Sequence, residues 1–189
     1  VINFFRKNKL KYSETYREPI SVLPIFKGPR GFVVWDEKDK WYKKWKKHIK
    51  SVDGLVKLKL AQGNFQLNRT ISANVLLNSD KNIINKIIKN EKTNALLVVI
   101  AEPILQASGK TYLTTYAKHY KLDGKLVNTV YRNKTPLRKT SSIYDVDENL
   151  IEKEILKIIG SIERKWKQNN LIDTSILNEV DLVIPITSI

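Results

Sequence analysis

Six consecutive apolar residues in the middle of the chain constrain its fold more than any other feature. Residues Ala95 to Ile100 read ALLVVI and include no polar side chain. A strand with one face in water alternates apolar and polar residues, whereas an uninterrupted apolar run of this length is typical of a central strand covered on both faces. The run is far shorter than the roughly 20 residues that a membrane-spanning helix needs. We therefore expect a layered fold around a buried strand, and no transmembrane span.

The patterns on either side of this run alternate between extended and helical periodicity. They predict an α/β fold, at the borderline with α+β, in which two to three amphipathic helices pack on a mixed sheet of about five to six strands. Residues 1–18 are interpreted as the end of a truncated preceding helix or a linker, and residues 19–189 as a single α/β domain cut from a longer protein. The further predicted strands are Ile20–Phe26, Phe32–Trp35, Leu55–Leu60, Thr111–Leu122, Leu126–Arg132 and Val180–Ile186, and helices are predicted to begin at Asp39, Ser79 and Asp145 or Asp147.

Two local signals refine the prediction for the strands. Pro24 cannot donate a backbone hydrogen bond, so it predicts a sheet edge, a bulge or a strand end within the first strand. Asp123-Gly124 lies between two extended runs and predicts a type I′ hairpin turn.

A lysine-rich helix with two distinct faces follows Asp39. On a helical wheel Trp41, Trp45 and Ile49 fall on one side. A groove that stacks nucleic-acid bases needs aromatic rings and cations side by side, whereas here they are on opposite faces. We therefore expect both indoles to be buried in the core, and the opposite face to bind polyanions weakly. The candidate polyanion-binding residues are Lys43, Lys44, Lys46, Lys47 and Lys50.

The charge of the whole chain has two possible origins. It contains 34 basic and 19 acidic residues, which gives a formal net charge of +15 at pH 7. Lys, Asn and Ile are abundant and share A/T-rich codons, so either genome composition or selection for a polyanionic partner explains the excess. Tyr112, Tyr116 and Tyr120 share one face of a strand, either packed under a helix or forming an exposed aromatic binding stripe.

Several kinds of chemistry find no support in the sequence. There is no cysteine, which excludes thiolate catalysis and Cys-based metal sites, and the two histidines are too few for a multi-His metal site. Gly109-Lys110-Thr111 is not a phosphate-binding loop, because Ile104 stands where that motif needs glycine and a strand follows instead of a helix. We expect His48 to be a packing histidine. We expect no cofactor and no enzymatic activity.

The order of the tryptophans and strands resembles a known bacterial family. Leu23-Pro24 ends an apolar strand before Trp35, and residues 41–45 (WYKKW) hold two further tryptophans four residues apart. Later features keep the same order: the strand at 55–60, Gly63-Asn64, the strand at Ala95, a helix ending near Trp166, and Val-Ile-Pro-Ile at 183–186. Over about residues 18–189, the chain is similar to the domain-of-unknown-function family 2066.

This resemblance implies a longer exported protein with a signal peptide, and it offers no catalytic residues to transfer. We therefore expect a non-enzymatic binding or scaffold domain in the periplasm or cell envelope, with a protein partner there. The alternative is a polyanion-binding module that uses the lysine-rich helix face for nucleic acid or anionic lipid headgroups.

Overall fold

The computed structural model describes residues 19–29, 31–34, 39–51, 56–61, 78 and 80–170. These residues form a mixed six-stranded sheet with three helices, which confirms the predicted fold class. The strands are β1 (Ile20–Gly28), β2 (Gly31–Val34), β3 (Leu58–Leu60), β4 (Ala95–Leu105), β5 (Thr111–Lys121) and β6 (Leu126–Pro136), and the helices are α1 (Lys40–Ser51), α2 (Lys81–Glu91) and α3 (Glu148–Asn170).

The sheet has the order β2-β1-β4-β5-β6, with β3 also paired to β1. β1 runs parallel to β3 and β4, whereas the β1–β2, β4–β5 and β5–β6 pairs are antiparallel. The apolar run at Ala95 therefore lies in an interior strand with a neighbour on each side, as predicted.

Two hydrophobic cores lie on opposite faces of the sheet. Leu97 and Val99 of β4 pack on one face with α1 and α3. Leu96, Val98 and Ile100 pack on the other face with α2. Because successive side chains of a strand point to opposite faces, this one strand contributes to both cores. The continuous apolar run of β4 is the consequence of that double burial.

Each helix begins at an aspartate whose side chain accepts backbone hydrogen bonds. Asp39 accepts from the Tyr42 amide at 3.0 Å, and Asp147 accepts from the Leu150 amide at 3.0 Å, as predicted. Helix α2 is capped by Asp80, which accepts from Asn82 and Ile83. The prediction of Ser79 as this cap was wrong by one residue. A side-chain oxygen at the cap position satisfies amide groups that have no partner within the helix.

Pro24 does not mark an edge, a bulge or an end of β1, and that prediction was wrong. It lies in the middle of an interior strand, opposite Val99 of β4. The Ile20 amide donates to Lys57 and the Val22 carbonyl accepts from Ala61, so even-numbered residues of β1 direct their backbone groups toward the β3 side. On that side the described residues pair Ile20 to Val22 with β3 and Ile25 to Gly28 with β2. The proline nitrogen therefore points away from β4, so Pro24 removes no hydrogen bond of the β1–β4 ladder.

The β5–β6 connection is a three-residue loop, not the predicted type I′ turn. A type I′ turn needs positive φ at both central residues, but here only Gly124 has positive φ, at 74°. The Gly124 amide donates to the Lys121 carbonyl and the Lys121 amide donates to Lys125. The β4–β5 loop repeats this pattern with Gly109 at the same φ. This explains why Gly109-Lys110-Thr111 forms a hairpin and not a phosphate-binding loop.

Some of the predictions lie outside the described residues. These are the segment 1–18, Trp35, the start of the third predicted strand at Leu55, Gly63-Asn64, the side chain of Trp166 and the last predicted strand, Val180–Ile186. Within the residues that are described, no helix is long and apolar enough to cross a membrane.

Candidate polyanion-binding surfaces

The tryptophans of α1 are core residues. Trp41 and Trp45 are both 0% exposed, and their rings meet edge to face with centroids 5.9 Å apart. The Trp41 indole Nε1 donates to the Val99 carbonyl of β4 at 3.2 Å, which fixes α1 across the sheet. Both rings are therefore unavailable for stacking on a ligand, as the helical wheel predicted.

The opposite side of α1 carries the lysines at the surface. Because they recur along about two turns of one helix, they form a continuous positive face, which we call the lysine face. Its exposed members are Lys43, Lys46, Lys47 and Lys50.

Lys44, the fifth candidate polyanion-binding residue, is not part of the lysine face. Its side chain is only 20% exposed, and its Nζ lies 3.2 Å from Glu148 and 3.3 Å from Glu152 of α3. Hydrogen bonds to these two carboxylates raise the pKa of Lys44 and, in return, lower that of Glu152. Lys40 pairs with Asp145 in the same way at 3.1 Å. These ion pairs form a seam that joins α1 to α3 and to the loop before it, so Lys44 positions the helix that displays the other lysines.

His48 lies beside this seam and is buried, as predicted for a packing histidine. Its Nε2 is 3.4 Å from a carboxylate oxygen of Glu152. A recess of about 10 Å³ opens next to it, lined by apolar side chains of α1, α3 and β3 together with Glu163. That volume holds about one water molecule. The recess is therefore too small for an organic substrate.

A buried carboxylate that the sequence did not reveal lies under β5 and β6. Glu154 of α3 is 0% exposed. Its oxygens accept hydrogen bonds from Thr115, Tyr131, Asn133 and Thr135 at distances of 2.7–3.1 Å, and Lys157 pairs with it at 2.8 Å.

Burial opposes ionisation of Glu154, but these donors outweigh it and lower its pKa to about 2. Burial, together with the hydrogen bond to Glu154, raises the pKa of Tyr131. Every partner is a side chain of this chain, so the arrangement is a structural clamp between α3 and the β5–β6 hairpin. One sequence signal could have identified Glu154 as a buried residue: it lies directly before Ile155, within the apolar stripe of α3.

The sequence left two roles open for the tyrosines of β5: packing under a helix or forming an exposed aromatic stripe. Different tyrosines of the strand have different roles. Tyr120 is fully buried in the core under α2, and Tyr116 packs at the margin of that core. Burial raises the pKa of Tyr116 to about 12. Tyr112, further from α2, is half-buried and lies under a lysine, with Lys134 Nζ 4.3 Å from its ring centroid. One end of the stripe is therefore core and the other end reaches the surface.

Among the described residues, no group of three or more His, Asp or Glu side chains is placed to hold a metal ion. His119 is half-buried in β5, and its pKa is lowered by burial and by Lys121 and Lys165.

Comparison with known proteins gives structural neighbours only. No family model matches the chain, and no curated protein matches its sequence. A PelC dodecamer from Paraburkholderia phytofirmans, in two crystal forms, is similar with a TM-score of 0.44 and 7% identity, covering 78% of this chain and 89% or 87% of that one. The lipoprotein GNA1162 from Neisseria meningitidis has a TM-score of 0.39 and 13% identity, covering 77% of this chain and 97% of that one. At such scores the likeness defines neither a common fold nor a common function.

Proposed function

We propose that the protein is a non-enzymatic binding domain that holds polyanions on the lysine face of α1. The observation that carries this proposal is the separation of roles among the lysines of α1. Lys44 is neutralised by α3, whereas Lys43, Lys46, Lys47 and Lys50 are exposed in one row. Release of counterions from a polyanion then favours association without any specific pocket.

The setting in an exported protein of the bacterial cell envelope belongs to the same proposal. It is supported by the tryptophan and strand spacing that resembles family 2066, and we include membership of that family in the proposal. Anionic lipid headgroups are the polyanions of such an environment, and each lysine near an anionic membrane contributes about 1 kcal/mol. A protein partner in the envelope would add to this attraction.

The test is binding to vesicles of equal parts phosphatidylserine and phosphatidylcholine, and to immobilised heparin, through a salt series. The triple variant Lys43→Glu, Lys46→Glu and Lys47→Glu should lose both interactions, because it reverses the lysine face. A second triple variant, Lys86→Glu, Lys139→Glu and Lys153→Glu, changes net charge equally at exposed positions outside α1. It should retain most of the binding.

Three outcomes would contradict the proposal. They are equal losses in the two triple variants, binding that persists in molar salt, and no binding by the unmodified protein in low salt. A circular dichroism spectrum and an unfolding midpoint for each variant show whether the fold is intact.

A further inference from the structure

A surface that stacks nucleic-acid bases needs aromatic rings and cations side by side. Helix α1 does not have this arrangement, but one face of the sheet does. Every second residue of β5 from Tyr112 to Tyr120 lies on the α2 side, and β6 places its own side chains next to them. Arg132 is the register partner of Tyr116, and Lys134 is the partner of Thr114 between the two tyrosines. Both basic residues are exposed. Aromatic rings and cations therefore stand side by side on one face, which we call the tyrosine face.

The cation–π contacts of the described residues all fall on this side of the sheet. Lys134 lies over Tyr112 at 4.3 Å, Lys118 over Tyr116 at 5.9 Å, and Lys27 over Phe32 of β2 at 5.3 Å. A cation over a ring face is attracted by the ring's quadrupole, but at an exposed site this attraction is weak. A stacked base can therefore displace the Lys134 ammonium, which is then free to meet a phosphate.

The face also contains one acidic side chain near the tyrosines. Glu102 of β4 is the register partner of Thr114, and its carboxylate lies 2.6 Å from Lys27 Nζ. That ion pair offsets its charge. The other charged side chains that the described residues place beside these two rings, Lys118, Arg132 and Lys134, are positive. Polyanions are therefore favoured over neutral ligands.

The spacing of the rings suits a chain of stacking groups. Tyr112 and Tyr116 are four residues apart on one strand, which is about 14 Å at the usual rise per residue. Thr114, a small side chain, lies between them. The rings are held in place because Tyr116 packs at the core margin and because Glu154 binds Thr115, which points to the other side of the same strand.

From this arrangement we propose that the tyrosine face binds single-stranded nucleic acid, with bases stacked on Tyr112 and Tyr116 and phosphates paired with Arg132 and Lys134. The observations favour nucleic acid over lipid as the ligand, because lipid headgroups have no flat rings that could stack on the tyrosines. This site is separate from the lysine face and does not depend on it.

The test measures fluorescence anisotropy of a labelled oligothymidylate of about 16 nucleotides, a length within the range that single-stranded binding folds occupy. Tyr112→Ala should weaken binding about 5- to 100-fold, since one base loses its stacking platform. Tyr112→Phe keeps the ring and should stay within about twofold of the unmodified protein. Tyr144→Ala is the matched control, since Tyr144 is also half-buried but lies in the loop before α3. It should leave binding unchanged.

Two further probes separate stacking from charge. An abasic oligonucleotide has the same phosphates but no bases, and should bind the unmodified protein more weakly than thymidylate binds Tyr112→Ala, because it loses the stacking on both tyrosines. The triple glutamate variant of the lysine face should retain the difference between Tyr112→Ala and Tyr112→Phe. Failure of the lysine-face proposal and failure of this one are therefore distinguishable.

The proposal is overturned if Tyr112→Ala and Tyr144→Ala bind alike, if the abasic strand or a duplex binds as tightly as thymidylate, or if Tyr112→Phe loses as much affinity as Tyr112→Ala. An unchanged unfolding midpoint for Tyr112→Ala shows that any loss of binding does not arise from unfolding. If that variant unfolds, Lys134→Ala provides the test, and its failure to weaken binding or to reduce the salt dependence overturns the proposal.

Discussion

The surface of α1 and the tyrosine face of the sheet are built from the same residue types in opposite arrangements. In α1, Trp41 and Trp45 face the core and the lysines face water, because a helix distributes consecutive residues around its axis. On the sheet, Tyr112 lies beside Lys134 because pairing in register brings side chains of two strands to the same face. Composition alone therefore does not identify a stacking surface. The decisive property is whether rings and charges project to the same side.

The largest expected difference between the two regions is the stability that their rings contribute. Trp45→Ala removes a fully buried indole and should lower the free energy of unfolding by roughly 3–5 kcal/mol. Tyr112→Ala removes a half-buried ring at the surface and should cost about 1 kcal/mol or less. Urea unfolding followed by circular dichroism measures both. Similar losses in the two variants would remove the distinction between a core ring and a surface ring.

The buried Glu154 is the support beneath the tyrosine face, and the next largest effect is expected there. Glu154→Ala leaves the buried Thr115 and the half-buried Asn133 without their acceptor, which should cost about 3 kcal/mol or more. Lys153→Ala changes an exposed neighbour on the same helix and serves as the control. A loss as small as that of the control would show that the network is not structural.

The same carboxylate predicts how stability depends on pH. Its pKa in the folded protein is about 2, below the ordinary value of 4.5 for glutamate. The stabilisation it provides is therefore complete above pH 4.5 and is lost as the pH falls toward 2. Comparing unfolding of the unmodified protein and Glu154→Gln across this window should show a steeper acid loss in the unmodified protein. Parallel curves would contradict the lowered pKa.

The sequence predicted correctly those features of the fold that depend only on residues close together in the chain. The apolar run of β4, the two-faced α1 and the aspartate caps Asp39 and Asp147 depend on neighbours within a few residues, and the structure confirms them. Pro24 was misjudged because its tolerance depends on which neighbouring strand its nitrogen faces, and the pairing of distant strands determines that.

The missed parts of the candidate sites depend on contacts between distant segments. On a helical wheel Lys44 lies at one edge of the arc of lysines, and the approach of α3 is what pairs it with carboxylates while Lys43 stays exposed. Glu154 was missed for the same reason, since its partners lie on β5 and β6. The β5 tyrosines were recognised as sharing a face, but the cations beside them come from the register of β6.

A smaller effect is expected at the loop that anchors the β5–β6 hairpin to α2. Gly124 and Gly109 have the same loop geometry and the same φ of 74°. A Cβ at Gly124 would lie 2.3 Å from the Lys81 carbonyl oxygen, whereas a Cβ at Gly109 meets nothing within 4 Å. Gly109→Ala should cost about 1 kcal/mol from backbone strain alone. Gly124→Ala should cost about 1–3 kcal/mol more, because the hairpin must move away from α2.

This pair of variants also tests whether the contact between Gly124 and Lys81 restrains the β5–β6 hairpin, which carries the tyrosine face. If the hairpin shifts in Gly124→Ala, the pairing of Tyr112 with its β6 neighbours changes less than that of Tyr120, which lies next to the loop. Thermal unfolding gives the difference between the two alanine variants. Equal midpoints would show that the contact with Lys81 does not restrain the hairpin.

The smallest effects are expected within α1, where Lys43 and Lys44 are adjacent but have different surroundings. Lys43→Ala removes one exposed charge of the lysine face, so the slope of log binding constant against log salt should fall by about 0.7–0.9. Its unfolding midpoint should not change, since the side chain is exposed. Lys44→Ala should do the reverse: the slope is retained, because Lys44 faces α3, and the midpoint falls slightly, because Glu148 and Glu152 lose their partner. Lys44→Ala could instead reduce the slope as much as Lys43→Ala. That result would show that Lys44 contacts the polyanion directly and belongs to the lysine face, which contradicts its assignment to the seam.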